Sequence, residues 1–579
     1  MATSSGPGLT GPGKVVVAVL VLLLAGGGFY LVRDRLLPKG RETGSVDMGK
    51  IKQELGGSKP EAMDPKGITT VSEYKYVPGE KLPPVKGVSA YKWNKADPTV
   101  VFPINVWIGW LPIVAANHGF APSKDSVFYK KYGFKVQLKL VDDPVAARDA
   151  FASGDSHVLW GTLDMIALFA PSLMKDSRTA PRVFQQIDWS SGGDGIVVRD
   201  YIKSVEDLKG KTVVYAENSP SQYYFNTLLL FAGIQPKQVS HKYTRSAFEA
   251  SAAFVADKSI DACVSWAPDI YNIPDKVPGT KLLSTTADAA KVLADVWAAR
   301  ADFARDHPEV IKGLVSGIFD GMVQLGKDPA FKEQACKWLG AGYSIPADEI
   351  KKMLNDAHST NFAENKQFFL NASNPTNFER TWNRINLVYK DLGKMDAAVA
   401  FDQVMDFSVI KQLEGEGRFS GQTDSYTAQF APADWQRTAE APLLKHVIRI
   451  HFFPNSANLW QPAQDEVGNA IKGKLYDPSV GKTLDRVATL AGQFDRAIIM
   501  VTGHTDDSMR GRVPVDAVQQ LSKERAQAVV AALIKRYKFP ASKFHAEGKA
   551  WDLPVDANDP HNHAQNRRVE IAVFPLEGK

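Results

Sequence analysis

Cysteine is scarce: the 579 residues contain two, Cys263 and Cys336, too few for a disulfide framework or a cysteine-rich metal site. They either pair in an oxidising compartment or stay buried as free thiols. An excess of one charge is lacking too. The net charge of +5 is small for this length and gives no reason to expect a nucleic-acid partner. No internal repeat is visible. The H-x-H spacing of His561 and His563 in "DPHNHAQ" is one a metal could use, but without a cysteine or an expected acidic partner it fits solvated loop residues better than metal ligands. No metal and no cofactor is expected.

What is present is ordinary globular composition, 44% apolar and 23% charged, over a length that suits about three to four domains. One long hydrophobic run exists, from Val15 to Val32. At a rise of ~1.5 Å per residue it spans roughly 27 Å, near the lower limit for crossing a bilayer core. A cleaved signal peptide is the competing reading, but no A-x-A-like site follows and the run ends at "RDRLLPKGR". The expectation is a cytoplasmic tail at 1–14, a transmembrane signal anchor at 15–32 in the cytoplasmic (inner) membrane, and a Lys-, Gly- and Pro-rich spacer at 33–98. Lys14 precedes the run while Arg33, Arg35, Lys39 and Arg41 follow it, so the positive-inside rule alone would leave the bulk of the chain in the cytoplasm. The domains that follow argue for the periplasm, and that rule is weakest where long domains are translocated.

From Thr99 short strands alternate with helices: "VVFPINVWIG", "WLPIVAANHGF", "FKVQLKLVD", "PVAARDAFASGD", "HVLWG". This predicts βαβ units and a parallel sheet, with any ligand beyond the carboxyl ends of the strands. At "KTVVYAENSPSQYYFNTLLLFAG", Ser219 predicts an N-cap, Pro220 the first helical position, Gln222 the far side of a capping box and Gly233 the helix end. Such a helix start suits an anion.

These stretches, with "DWSSGGDGIVVRDYIKSVEDLKGKTVVY", "DKSIDACVSWAPDI" and "FARDHPEVIKGLVSGIFDGM", resemble the type 2 periplasmic solute-binding proteins of nitrate, sulfonate and thiamine-precursor ABC transporters. The similarity covers residues 99–440. It implies two α/β lobes closing over a small anion or heterocycle, with room for an ABC permease as partner. Carried over by position, the implied pocket is Gly109 and Trp110; Trp160, Gly161 and Thr162; Trp189, Ser190 and Ser191; Ser219 and Ser221; and Trp266 with Asp269. Thiamine-pyrimidine synthases on this fold use a cysteine cluster and a particular histidine. Nothing comparable surrounds Cys263 or His118, so no enzyme is expected.

The last segment raises a question of charge. A helix beginning at Val515 has the apolar stripe Val518, Leu521, Val529, Ala532 and Leu533, and Arg525 falls in its middle. A guanidinium on a buried face must find a partner, since stranding it costs several kcal/mol. "GHTD", "LSKERAQAV" and "NRRVEI" resemble the hallmarks of OmpA-like (MotB-like) peptidoglycan-binding domains, over residues 446–579. The resemblance implies an α+β domain that grips the diamino acid of the peptidoglycan stem peptide. Asp506 would take its ammonium, Arg525 its carboxylate, and Thr505, Asn566 and Arg567 would line the site. Direct pairing of Arg525 with Asp506 is the competing arrangement. Two departures stand out: Val518 occupies a position usually held by asparagine, and "DSMRGRVPVD" is longer than usual. An insertion around "LWQPAQDEVGNAIKGKLYDPSVGK" is expected to reshape the rim.

Overall fold

The computed structural model describes residues 67–574 apart from 80, 81, 427–441, 449, 451, 454, 455, 556, 557, 560 and 562–565. The expected tail and membrane span at 1–32 lie outside the described residues. Among the described residues no helix is long and apolar enough to cross a membrane.

Strands β1 (Thr99–Ile104), β2 (Lys135–Leu140), β3 (Val158–Thr162) and β4 (Pro181–Ser190) open a first lobe. The chain then crosses to a second lobe, built on β5 (Asp194–Arg199), β6 (Thr212–Ala216), β7 (Ser240–Thr244), β8 (Ala262–Trp266) and β9 (Thr280–Thr285). It returns to the first lobe for β10 (Ala294–Arg300), a row of helices, and the short β11 (Ala357–Ser359). The sheets are mixed rather than all parallel, which corrects the simple βαβ expectation. In the first lobe β1 and β2 pair in parallel, while β11-β4-β10-β3 is antiparallel throughout. In the second lobe, ordered β7-β6-β8-β5-β9, β6 runs parallel to its two neighbours and β5 antiparallel to β8 and β9. The antiparallel pairs arise because each crossing between lobes reverses the chain. Strands β3, β5, β8 and β10 are buried at every position, as their runs of Val, Ala, Trp and Cys require when helices cover both faces.

The stretch expected as a spacer is, where described, a strap laid over both lobes. On the second lobe the amide and hydroxyl of Thr70 bond Asp269 at 2.8 and 2.7 Å, and Val77 pairs with Tyr243. On the first lobe Arg148 donates to the carbonyls of Pro83 and Pro84, and the carbonyl of Ser89 accepts from Arg300. Its prolines and glycines suppress regular structure, but its aromatic and carbonyl groups still find partners.

The C-terminal part is a four-stranded sheet with two long helices, Val480–Gln493 and Val515–Tyr537. Its strands are β12 (Leu444–Ile448), β15 (Ile498–Gly503), β16 (Phe544–Gly548) and β17 (Val569–Phe574), ordered β12-β17-β15-β16. The expected insertion forms a separate hairpin of β13 (Pro462–Gln464) and β14 (Ala470–Leu475). Cys263 and Cys336 are buried free thiols.

Candidate functional site

In the C-terminal domain two glycines set the geometry. Gly503 ends β15 and Gly548 ends β16, and the two are cross-strand partners. A Cβ on Gly503 would fall 1.9 Å from the carbonyl oxygen of Ser522, and one on Gly548 would fall 2.3 Å from that of Gln519. Only bare backbone lets the helix Val515–Tyr537 lie this close to the strand ends. That contact places Arg525, one turn further on, beside the loop that leaves β15.

Arg525 is 5% exposed. Its Nε donates to the carbonyl of Ser456 at 3.1 Å, and its guanidinium lies 5.1 Å from the centre of the Phe452 ring. Among the described residues no hydrogen bond or ion pair reaches its two terminal nitrogens. Burial lowers its pKa to about 10, Arg567 pushes the same way, and Asp506 and Tyr476 oppose them. Asp506 is buried too. It accepts from the Ser508 amide at 2.9 Å and forms an ion pair with Arg567 at 3.1 Å. Arg525 and Asp506 therefore sense each other's charge without closing into a pair. Asn566 accepts from the Val555 amide at 2.9 Å, and the Thr505 amide donates to the carbonyl of Ala550 at 2.8 Å. Chemically, a buried cation with two donor nitrogens unused among the described residues, beside a carboxylate, can accept a group carrying both signs. Tyr476, at the foot of the insertion hairpin, stands on the rim. Val518 is buried in the helix's core face, and the long "DSMRGRVPVD" begins with a single turn, Asp507–Met509. Contrary to the sequence reading, His561 does have an acidic neighbour: its Nδ1 lies 2.8 Å from Asp507.

In the middle domain the strand ends converge on the two crossovers, residues 191–193 and 286–293. Trp110 and Trp160, expected as pocket walls, are core residues. The Trp110 indole donates to Asn105 at 2.7 Å and packs on Phe102; the Trp160 indole donates to the carbonyl of Val141 at 3.1 Å. The tryptophan that does reach the crossover is Trp107, three residues earlier, whose indole N–H lies 3.2 and 3.3 Å from the two carboxyl oxygens of Asp188. Gly109 makes room for this contact, because a Cβ there would sit 1.8 Å from Asp188. Gly193 does the same for the Trp107 ring, at 2.5 Å.

Around Trp107 the ends of the elements carry carboxyl groups: Asp164, Asp188, Asp194, Asp295 and Asp356, all buried. Asp188 faces Asp295 across the β4–β10 ladder. The Ser190 hydroxyl donates to Asp194 at 2.6 Å, Tyr389 to Asp164 at 3.0 Å and Tyr271 to Asp356 at 3.3 Å. Burial pushes Asp164 up to about 6, and Asp188, Asp194 and Asp356 to about 7. Asp295 is raised well above the usual range by burial and by its acidic neighbours. No lysine or arginine pairs with any of the five among the described residues. Sequence reading missed this cluster, although Asp188 and Asp194 flank the "WSSGG" it singled out.

The helix Pro220–Phe231 abuts the cluster, since Asp164 acts on its Tyr223 and Asp194 on its Tyr224. The capping box expected at its start is not formed. The Ser219 hydroxyl donates instead to the carbonyl of Ala216 at 2.8 Å, and Gln222 caps one residue earlier, accepting from the Asn218 amide at 3.1 Å. The Ser221 hydroxyl in the first turn is buried with no hydrogen-bond partner among the described residues. Trp189 packs edge-on against Phe368, and Ser191 sits on the first crossover, its amide donating to the carbonyl of Asp356 at 2.8 Å. Gly161 and Thr162 close β3 next to Asp164. Trp266 lies in a small cluster with Val71 and Phe248, and Asp269 is engaged by Thr70 of the strap. Cys263 is fully buried, its thiol pushed up by burial and then by Asp269, which is the opposite of a poised nucleophile.

Comparison with known proteins divides the chain the same way. Residues 117–331 match the NMT1/THI5-like family and residues 472–568 the OmpA family. The taurine-binding periplasmic protein of Escherichia coli is 30% identical over 200 residues, 34% of this chain and 59% of that protein. Outer membrane protein Omp38 of Acinetobacter baumannii is 32% identical over 123 residues, 21% of this chain and 29% of its own. The chain thus spans less than two thirds of these relatives' length. Among solved structures, the periplasmic aliphatic sulphonate binding protein SsuA of Escherichia coli aligns at a TM-score of 0.42 and 18% identity, over 53% of this chain and 96% of its own. The nitrate-binding protein NrtA of Synechocystis PCC 6803 gives 0.43 and 16%, over 56% and 91%. The chain thus joins a segment similar to the NMT1/THI5-like family to a segment similar to the OmpA family.

Proposed function

We propose that this fusion is a periplasmic envelope protein that captures a small solute in its middle domain and holds peptidoglycan noncovalently through its C-terminal domain, with Val15–Val32 as its anchor in the inner membrane. The observation that carries the reading is Arg525: a buried guanidinium whose two terminal nitrogens are unused among the described residues, beside a carboxylate it does not close on. A stem-peptide diamino acid ends in an ammonium next to a carboxylate. Its carboxylate takes the Arg525 fork, and its ammonium takes Asp506, displacing or sharing Arg567. Arg525→Ala and Asp506→Ala are each expected to abolish co-sedimentation with purified sacculi. Parent-like pelleting of both would refute the assignment.

For the solute, the five carboxyl groups favour a head that carries positive charge, and the helix start at Pro220 with the Ser221 hydroxyl suits a negative one. A small amino sulfonate satisfies both ends, in keeping with the name of the taurine-binding relative. Taurine is expected to raise the melting temperature of the full chain, and ethanesulfonate, which lacks the amine, to do so far less. The domain performs no chemistry in this reading, and an ABC permease is the natural recipient of its solute. A second reading, a tether from membrane to wall whose middle domain holds no ligand, is favoured by the strap residue Thr70 already occupying Asp269. Absence of any shift with taurine, simple sulfonates or nitrate would select it.

A further inference from the structure

The C-terminal domain does not hang from the rest of the chain; it is bonded to three places on it. On the second lobe, Phe494 packs against Phe231 with ring centres 6.0 Å apart, and the Lys445 amide donates to Glu206 at 2.9 Å. On the first lobe, Arg380 pairs with Asp485 at 3.2 Å. On the second crossover, the Lys291 amide donates to the carbonyl of Gln493 at 3.1 Å, and its ammonium lies 3.5 Å from Asp495. Gly492 fits the same seam, because a Cβ there would come within 3.0–3.1 Å of Thr376 and Pro375.

We propose that the C-terminal domain is a clasp that sets the opening of the two lobes. Opening a two-lobed domain rotates one lobe about its crossovers. A rigid body bonded to both lobes and to one crossover cannot keep all three sets of contacts through such a rotation, so the cleft opens only as one set lets go. The clasp also reaches the proposed wall site. The helix that bears Arg525 ends in Arg536 and Tyr537, which meet Arg380 on the same Asp485 carboxylate, about 18 Å along the helix from Arg525. Whatever favours the closed lobes therefore favours the docked domain, and by reciprocity a load on the docked domain is felt at the cleft. The inference stands on the docking contacts and holds whatever either domain binds.

The test is a distance measurement between spin labels in the full chain, one on each lobe, at the exposed positions Ser177→Cys and Lys237→Cys; the native cysteines are buried. Asp485 and Lys291 are both partly exposed, so Asp485→Ala and Lys291→Ala each weaken the clasp at a different point, the second by removing the ammonium beside Asp495 while the Lys291 amide keeps its bond to Gln493. Either variant is expected to shift the label distances to longer values and broaden them, even though the strap still spans the lobes. A distribution identical to the parent's in both variants would overturn the clasp.

Discussion

In the middle domain five carboxyl groups are buried together with no arginine or lysine bonded to any of them among the described residues, whereas the C-terminal site sets both signs near each other, buried Arg525 beside buried Asp506 and buried Arg568 paired with the partly exposed Glu570. The two regions solve one problem in two ways. Isolated buried charge is costly, so a carboxyl group either keeps its proton or acquires a cation. The middle-domain cluster takes the first route and the C-terminal site the second. One consequence is that the middle-domain cluster responds to protons. The C-terminal site is held by fixed charges, and among the described residues the two terminal nitrogens of Arg525 have no hydrogen bond or ion pair.

The largest expected break in this comparison is mechanical. Gly503→Ala forces a methyl group into the carbonyl of Ser522, which cannot move without dragging the helix off the sheet. The cost is expected to exceed about 3 kcal/mol, enough to melt the C-terminal domain early and to abolish sacculus binding while the middle domain stays folded. Two unfolding transitions in calorimetry, with only one moved, would check it. Ordinary melting of the variant with intact pelleting would mean the helix is not seated on Gly503. On the other side of the comparison, Trp110→Ala is expected to cost about 3–5 kcal/mol in the middle domain, as removal of a buried aromatic does. A variant of parental stability but impaired solute binding would restore Trp110 to the pocket.

Trp110 shows where sequence was legible and where it was not. Alternation and family-like motifs were enough to expect the two lobes and the helix at Val515 on whose buried face Arg525 falls, because each of those rests on local spacing. The sequence reading chose Trp110 for the pocket, while the tryptophan beside Asp188 and Gly193 at the crossover is Trp107, three residues earlier, and those two partners lie some eighty residues away in sequence. The carboxyl cluster was invisible for the same reason. Asp164, Asp188, Asp194, Asp295 and Asp356 meet only after the chain has crossed between lobes twice. Prolines and glycines marked 33–98 as a spacer, yet its described part, from residue 67, is a strap held by tertiary partners that composition does not report.

The next expected effect is a pH dependence of opposite sign in the two regions. The cleft carboxyls have folded pKa values of about 6 to 7, above the ordinary 3.8, so the folded state keeps protons that the unfolded chain has released. Their contribution is fully present below about pH 4 and is lost as pH rises through 7, at up to about 1.4 kcal/mol per pH unit for each group. Glu570 behaves the other way. Burial alone would raise it, but His504 and Arg568 outweigh burial and hold it at about 2. Its contribution is present above about pH 4.5 and is lost on acidification towards 2. Urea titrations of the full chain between pH 5 and 8 are expected to show the middle domain weakening while the C-terminal domain holds. Taurine should flatten that decline, because an ammonium substitutes for the missing protons. A middle domain that gains stability over the same range would mean the carboxyls are ionised and paired.

The smallest expected effect concerns Arg567, and it decides how the wall site is divided. Arg567 is half exposed, 49% by side chain, and its pair with Asp506 is a surface ion pair on one side, worth no more than about 1 kcal/mol. If its task is to hold Asp506 until an ammonium arrives, Arg567→Ala trades a lost partner for an easier entry, and sacculus affinity is expected to change only severalfold. Arg525→Lys keeps the charge but loses the two-pronged geometry, and is expected to weaken pelleting about tenfold or more. A titration of both variants against sacculi orders them directly. Should Arg567→Ala prove as damaging as Arg525→Ala, the carboxylate of the stem peptide is shared between both arginines, and the site is a cationic pocket in which Asp506 serves to space them.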